Sequence, residues 1–399
     1  MSKVTYLVIL GILSSGVFTN QYTKLIMTSD MMLIVVTLWG ILGFAVFHSE
    51  RKNKLNRSEN RKYVSWFLLL MCLSALVPYL YFNQPILSTL VAQRANYLIF
   101  LLLTLLYIYP SEDEIIKSLK ILTCFSIFVM ALSVCMPDLF RDEKNIKYLI
   151  EIRRRGSLDM GVTMIGFSYL VFYFYYRLQF FFEKPDLKDL LVASLLMLVI
   201  IFVQNRSTII GTLPFFVYAV FRMRSKYKVF FWSILIFSLL LILPMLSTLY
   251  DNLMKETTEQ LTNNKYNRWQ AVDFFLSEWD ISIDTFLLGH GVPSAGSPYL
   301  HKLLRAQVER RAFISDIGLL GTFFYYGFLF MALFYFFICK ALFSKRIPKY
   351  LKFFSLWVLL VPTLHGFALQ SVTGMFYYSL FFYLVFYHLR GCARVNVKK

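Results

Sequence analysis

Apolar residues in this 399-residue chain come in long, nearly uncharged runs. They show neither the alternation of a half-buried strand nor the single stripe of a soluble helix. About 20 consecutive apolar residues span a hydrocarbon core of about 30 Å as a helix. In lipid every backbone N–H and C=O needs an internal partner, so continuous runs of this kind must be helical. They fall at 4–20, 31–47, 64–82, 86–109, 119–136, 161–177, 187–203, 207–221, 229–248, 315–338, 353–369 and 371–388. The pattern predicts an all-α polytopic integral membrane protein with about twelve transmembrane helices (10 to 12), forming one membrane domain over 1–399. The run at 207–221 is short and contains Pro214, and the last two are joined closely enough for a re-entrant hairpin. Residues 4–20 have the hydropathy of a signal peptide. Lys3 alone makes a weak basic flank and no small-residue cleavage site follows, so this run is expected to stay as the first helix.

The polar stretches add two long connections. Residues 137–160 read PDLFRDEKNIKYLIEIRRRGSLDM, and 249–314 make a loop far beyond the usual connection length. Loops of that size carry function more often than they merely connect. Within the second, Trp269, Val272 and Leu276 recur at helical spacing beside Phe275, which predicts an amphipathic helix on a membrane surface. The stretch 287–301 is turn-rich, and 301–312 returns to helical character before the run at 315.

Composition agrees with the pattern. Only 16% of residues are charged, where a soluble domain averages about 25%, and the mean hydropathy is +0.59. The net charge of +18 has a direction. Basic residues gather in alternate connections at 48–63, 110–120, 177–189, 222–228, 340–352 and 390–399. By the positive-inside rule both termini and these connections are cytoplasmic, and 137–160 and 249–314 are external. Cations that follow loop alternation form no single basic face, so a nucleic-acid partner is not expected. Of the five cysteines, Cys72, Cys124, Cys135 and Cys339 lie in or at the ends of apolar runs and Cys392 is cytoplasmic, so no structural disulfide is expected. No CxxC, HExxH, Walker or GxGxxG pattern occurs, and the cytoplasmic loops are too small for a nucleotide-binding domain.

Two external clusters run against the charge rule. One is Arg153, Arg154 and Arg155. The other is Lys302, Arg305, Arg310 and Arg311, directly before an apolar run. Arg206 sits in the tight hairpin QNRST, Arg268 opens the amphipathic stretch, and Arg94 lies within a run. Guanidinium groups match phosphate oxygens in bidentate fashion, so several converging on one spot would hold a pyrophosphate. Singly, each also fits snorkelling to lipid headgroups or pairing with Glu151, Asp159 or Glu309. For proton transfer the candidates are Glu309, Asp316, His301 and His290. Asp316 equally suits the first turn of a helix, and either histidine equally suits a solvated loop. No third ligand is spaced to make the histidines a metal site.

Four motifs in order carry a resemblance: NRST at 205–208, NRWQA at 267–271, LLGHG at 287–291 and SDIGLLGTFFYYG at 315–327. The chain resembles the O-antigen polymerase/O-antigen ligase superfamily of bacterial membrane glycosyltransferases, most nearly the Wzy-type polysaccharide repeat-unit polymerases. The resemblance covers about 150–340 by motif and the whole chain by topology. It implies transfer of a growing glycan from undecaprenyl pyrophosphate to another lipid-linked repeat unit, at the outer face of the cytoplasmic membrane. It implies no cofactor and no metal. The implied partners are lipid-linked oligosaccharides, membrane lipids, a chain-length regulator and a flippase. By this resemblance Arg206, Arg268, Arg310 and Arg311 contact pyrophosphate or glycan, with Arg153–Arg155 as the basic external loop. Ligases of the superfamily carry a His-Asn-like element shortly before the Gly-x-x-Gly start of the next span. Here that region reads ERRAFISDIG, without histidine, which favours polymerase over ligase. A flippase or other transporter is the alternative of another class. Such proteins more often show two similar halves and short loops, and this chain shows neither.

Overall fold

The computed structural model of the chain describes residues 1–18, 28–47, 58–135, 166–182, 187–203, 206–222, 228–229, 232–233, 236, 271–275, 279, 282–310, 312–364 and 372–389. Among them there is no strand. The helices are α1 (Lys3–Ser14), α2 (Ser29–Val46), α3 (Ser58–Ser74), α4 (Leu76–Phe82), α5 (Ile86–Ala92), α6 (Leu101–Ile108), α7 (Glu112–Cys135), α8 (Phe167–Leu178), α9 (Leu187–Phe202), α10 (Arg206–Arg222), α11 (Ile283–Leu288), α12 (Pro298–Glu309), α13 (Leu319–Phe343), α14 (Lys349–Leu364) and α15 (Val372–Leu389). A 3-10 turn at Asn96–Phe100 leads into α6, and another at Ile314–Ile317 precedes α13.

The architecture is all-helical, with several apolar helices that fit a membrane-embedded protein. Among the described residues three are long and apolar enough to cross a membrane: Lys62–Phe82, Glu112–Leu132 and Leu320–Phe343. A fourth is the pair Ile86–Ala92 and Asn96–Ile108, bent by 66°. Lys3–Ser14, Asp30–Val46 and Thr208–Arg222 are apolar but shorter. The run at 86–109 therefore is not the straight helix that its hydropathy predicts. The expected run at 229–248 lies largely outside the described residues.

The chain forms two compact units. The first holds 1–20, 25–122 and 267–399, and the second 21–24 and 123–266. In the second unit α8 packs on α9, and α9 on α10. Tyr175 Oη donates to the Gly211 carbonyl at 2.8 Å, and Arg177 on α8 is ion-paired with Asp189 on α9.

In the first unit α13 packs on α3, α11 and α14, while α15 packs on α6 and the Asn96–Phe100 turn. Lipid supplies no hydrophobic drive between helices, so close packing and polar contacts must hold them together. At α1 and α2 small residues allow the approach. A side chain at Gly43 would meet the Tyr6 hydroxyl, whose Oη donates to the Trp39 carbonyl at 3.0 Å. Between the start of α7, α14 and α15 the contacts are polar. Tyr350 Oη donates to Glu112 Oε1 at 2.8 Å, His388 Nε2 lies 3.3 Å from Glu112 Oε2, and Tyr383 Oη donates to the Pro110 carbonyl at 2.6 Å. Tyr350 and His388 are buried, so this knot ties the start of α7 to α14 and α15. A hydrogen bond to a charged group contributes about 1.5–3 kcal/mol. Tyr350→Phe is expected to lower stability by that amount, measured as unfolding in detergent, and an unchanged unfolding curve would refute the role.

Candidate functional site

The site is built where interrupted helices of the first unit meet. Helix α13 is broken at Gly327, whose φ of 73° and ψ of −178° leave the helical region. A break frees carbonyls from the i→i−4 ladder, and inside an apolar bundle each needs a new donor. The chain supplies them from the stretch after α11. His290 N–H donates to the Phe324 carbonyl at 2.7 Å and Gly291 N–H to the Tyr325 carbonyl at 2.9 Å. The two strands of backbone touch glycine to glycine. A Cβ at Gly289 would lie 2.4 Å from the Tyr325 carbonyl, and one at Gly327 would lie 2.4 Å from Gly289 N and Leu287 O. LLGHG and the YYG at 325–327 are thus two halves of one crossing.

A second interruption falls in α3 and α4, which part at Ala75. Gly291 packs there, with any added Cβ 2.5 Å from Pro78 Cγ. The third is the 66° bend at Gln93–Ala95. Neutral amides and hydroxyls stitch these breaks together. Buried Gln84 donates through Nε2 to Thr89 Oγ1 at 2.5 Å and to the Val292 carbonyl at 3.1 Å, and its Oε1 accepts from Ser294 N–H at 3.0 Å. Buried Gln93 donates to Ser74 Oγ at 2.9 Å and accepts from Tyr97 Oη at 3.1 Å. Asn96 Nδ2 donates to Tyr326 Oη.

Helix α12 lies over this region. Ser297 caps it, accepting from Leu300 N–H at 3.0 Å, and Pro298 opens it. Tyr299, Leu303 and Ala306 are buried at helical spacing, and His301, Lys302, Arg305 and Glu309 are exposed. The Tyr299 ring stacks on Phe82 at 4.4 Å, and its Oη donates to the Gly291 carbonyl at 3.1 Å. Burial holds the Tyr299 hydroxyl well above its ordinary range, so it stays a neutral donor. Lys302 Nζ sits 4.4 Å from the Trp279 ring centroid, a cation–π contact. At the start of α11, hydrogen bonds from the Ser282 and Tyr81 hydroxyls hold the Asp284 carboxyl below its ordinary value. A lowered native value means this contact stabilises at neutral pH and is lost as pH falls through the carboxylate range.

The candidates from sequence separate clearly. His301, Arg305 and Glu309 share one exposed stripe of α12, with Arg305 Nε 3.8 Å from Glu309 Oε1. At about 1.5 Å per residue His301 and Glu309 stand about 12 Å apart along the axis. Arg310 is exposed at the end of the same helix. His290 departs from the picture of a solvated loop histidine. It is buried, its ring stacks on Phe324 at 4.2 Å, and Nδ1 lies 3.3 Å from the Phe324 carbonyl, placing the proton on Nδ1. Arg94 is not sunk in a straight span. It lies at the bend, exposed and ion-paired with Asp30 at the start of α2, a pair worth about 1 kcal/mol or less. Asp316 falls in the 3-10 turn just before α13, and its side chain lies outside the described residues. Arg206 opens α10. Arg153, Arg154, Arg155, Arg268 and Arg311 lie outside the described residues, as does the side chain of Arg206.

Sequence reasoning passed over Gln84, Gln93, Asn96, Tyr326 and the glycine pair. A signal existed: FNQP at 82–85 and QRAN at 93–96 are polar interruptions within apolar surroundings. Cys72, Cys124, Cys135 and Cys339 are free thiols, and among the described residues no three His, Cys, Asp or Glu gather as a metal site. Compared with known proteins, the chain matches no protein-family model and no curated protein.

Proposed function

We propose that this chain is a polysaccharide repeat-unit polymerase of a bacterial cytoplasmic membrane, acting at the outer face on glycans carried by undecaprenyl pyrophosphate. The observation that carries the reading is α12. Its buried side meets the crossing through Tyr299, which bonds the Gly291 carbonyl of LLGHG, and its exposed side presents His301, Lys302, Arg305 and Arg310. In the transfer, an acceptor hydroxyl oxygen bonds to the anomeric carbon of the donor glycan. The bond from that carbon to the pyrophosphate oxygen breaks, and its electron pair leaves with the lipid pyrophosphate. The hydroxyl proton passes to a base.

Charge develops on the departing pyrophosphate, and pre-placed guanidinium groups stabilise it there. Arg310 and Arg311 carry that role, with Arg305 and Arg268 as further contacts and Arg94 at the bend; Arg206, Arg154 and Arg155 are included on the resemblance alone. For the base, Glu309 and His301 face solvent on α12 and Asp316 follows in the 3-10 turn, whereas His290 spends its ring on Phe324. No cofactor or metal enters the scheme.

The test is deletion with glycan profiling, complemented by wild type and by Arg310→Ala/Arg311→Ala at matched membrane levels. Wild type is expected to restore long chains and the double variant to lose them about 10²-fold or more, the scale of removing one charge-stabilising donor. Full chains from the double variant would reduce the cluster to a lipid-surface feature. Polymer that forms but stays on its carrier would identify a ligase. Interrupted helices around a polar centre are also the pattern of transporters, which supports a flippase as the second reading. Lipid-linked units trapped on the cytoplasmic side after deletion would establish it.

A further inference from the structure

Asn96 is 3% exposed, yet among the described residues its Oδ1 has no hydrogen-bond partner. Its Nδ2 donates to Tyr326 Oη, which is itself buried, 1% exposed, at the break of α13. An acceptor oxygen left open inside an apolar bundle opposes folding, and a chain that keeps one needs a reason outside folding. The neighbours could have quenched it but are committed elsewhere. The Gln93 amide spends its oxygen on Tyr97 and its nitrogen on Ser74, and Ser74 Oγ donates to the Met71 carbonyl at 2.7 Å.

The surroundings define what would fit. The side chains hydrogen-bonded in this layer, Ser74, Gln93, Asn96, Tyr97 and Tyr326, are all neutral, which suits neither a phosphate nor a metal ion. The free position is an acceptor, so the ligand must bring an O–H or N–H. The Tyr326 ring that receives the Asn96 amide packs with Phe330 at 5.0 Å and Tyr325 at 6.5 Å between centroids. Neutral hydrogen-bonding groups among aromatic rings suit a saccharide hydroxyl with its ring C–H faces. The surface is close by. Arg94, two residues before Asn96 at the 66° bend, is exposed, so the layer lies directly under an interruption and not deep within a straight helix.

We propose that Asn96 and Tyr326 seat a hydroxyl of the acceptor saccharide, with Asn96 Oδ1 accepting from it. This rests on the polymerase reading and adds to it a neutral acceptor subsite, separate from the cationic face of α12.

The test exploits the open oxygen. Asn96→Leu keeps the volume and removes the unpaired group. The full-length variant, and Tyr326→Phe beside it, are compared with wild type in two measurements. One is melting in detergent, and the other is the glycan profile in the deletion strain. Asn96→Leu is expected to melt at or above the wild-type temperature while chains longer than one repeat fall at least tenfold, and Tyr326→Phe is expected to shorten chains likewise. Normal chains from Asn96→Leu would overturn the subsite, as would a clear fall in melting temperature, because the amide would then be structural. If wild type itself restores no chains, the polymerase reading fails. If wild type and Asn96→Leu both restore them, only the subsite fails.

Discussion

Gly327→Ala and Gly289→Ala should each prevent the protein from accumulating as a stable fold. Both positions combine two penalties. Their φ values, 73° and 77°, lie in the left-handed half of backbone space, which costs a residue with a Cβ about 1–2 kcal/mol. The new methyl would also stand 2.4 Å from backbone atoms of the facing segment, and backbone cannot swing aside as a long side chain can. Separating the strands enough to admit it would break the His290 and Gly291 hydrogen bonds to Phe324 and Tyr325, leaving carbonyls bare in an apolar bundle. Together these place the loss above about 4 kcal/mol, the range that marks a structural breakdown. Gly296 separates the two penalties. Its φ is 74°, but nothing lies within 4 Å of a Cβ there. Gly296→Ala is therefore expected to cost about 1–2 kcal/mol and to leave a normal level of folded protein. Membrane abundance and monodispersity in detergent measure all three variants. Well-folded Gly327→Ala protein would show that the crossing is dispensable.

Gln84→Leu is expected to have the next largest effect. The residue is fully buried and its amide serves three groups at once: Thr89 Oγ1, the Val292 carbonyl and the Ser294 N–H. Leucine matches the volume but strands all three. Each buried group left without its partner costs about 1–3 kcal/mol, so a loss of about 3 kcal/mol or more follows. The damage should be local at first. Residues 292–294 would lose their tie to α4 and α5, and protease cleavage between Gly291 and Ser297 should rise well before global unfolding. Gln84→Glu discriminates further. It keeps one oxygen for Ser294 but loses the amide protons that reach Thr89 and Val292, so it should fall between wild type and leucine. An unaltered cleavage rate in Gln84→Leu would sink the assignment.

The helical class and, to within about three residues, α12 are legible in the order of residues alone. Runs such as 119–136 and 315–338 read as helix, and 301–312 reads as helical, although the helix starts earlier, at Pro298 within the stretch read as turn-rich, and ends at Glu309. The interruptions are not legible there. Hydropathy averages over a window, so FNQP and QRAN vanish into the apolar residues around them, and 86–109 reads as straight where it bends by 66°. Glycine is equally silent, because Gly289 and Gly327 acquire meaning only from each other, 38 positions apart. His290 shows the same limit. Its sequence neighbours suggest an open turn, but its actual neighbours are Phe324 and Trp279, supplied by other parts of the chain. The exposed stripe of His301, Arg305 and Glu309 is visible in the sequence as basic and acidic residues. That they share one line depends on the helix running unbroken from Pro298 to Glu309.

The glycine crossing also dictates an order of assembly as the chain leaves the ribosome. Helices α3 to α5 are made early, with Gln84 already aboard, but its partners at Val292 and Ser294 come roughly two hundred residues later. The segment bearing Gly289 cannot lock until Gly327 has itself been synthesised. Through most of translation the Gln84 amide therefore waits without its Val292 and Ser294 partners. Closure of this crossing precedes the docking of α14 and α15, and a nascent chain arrested before Gly327 exposes its polar seams to quality control.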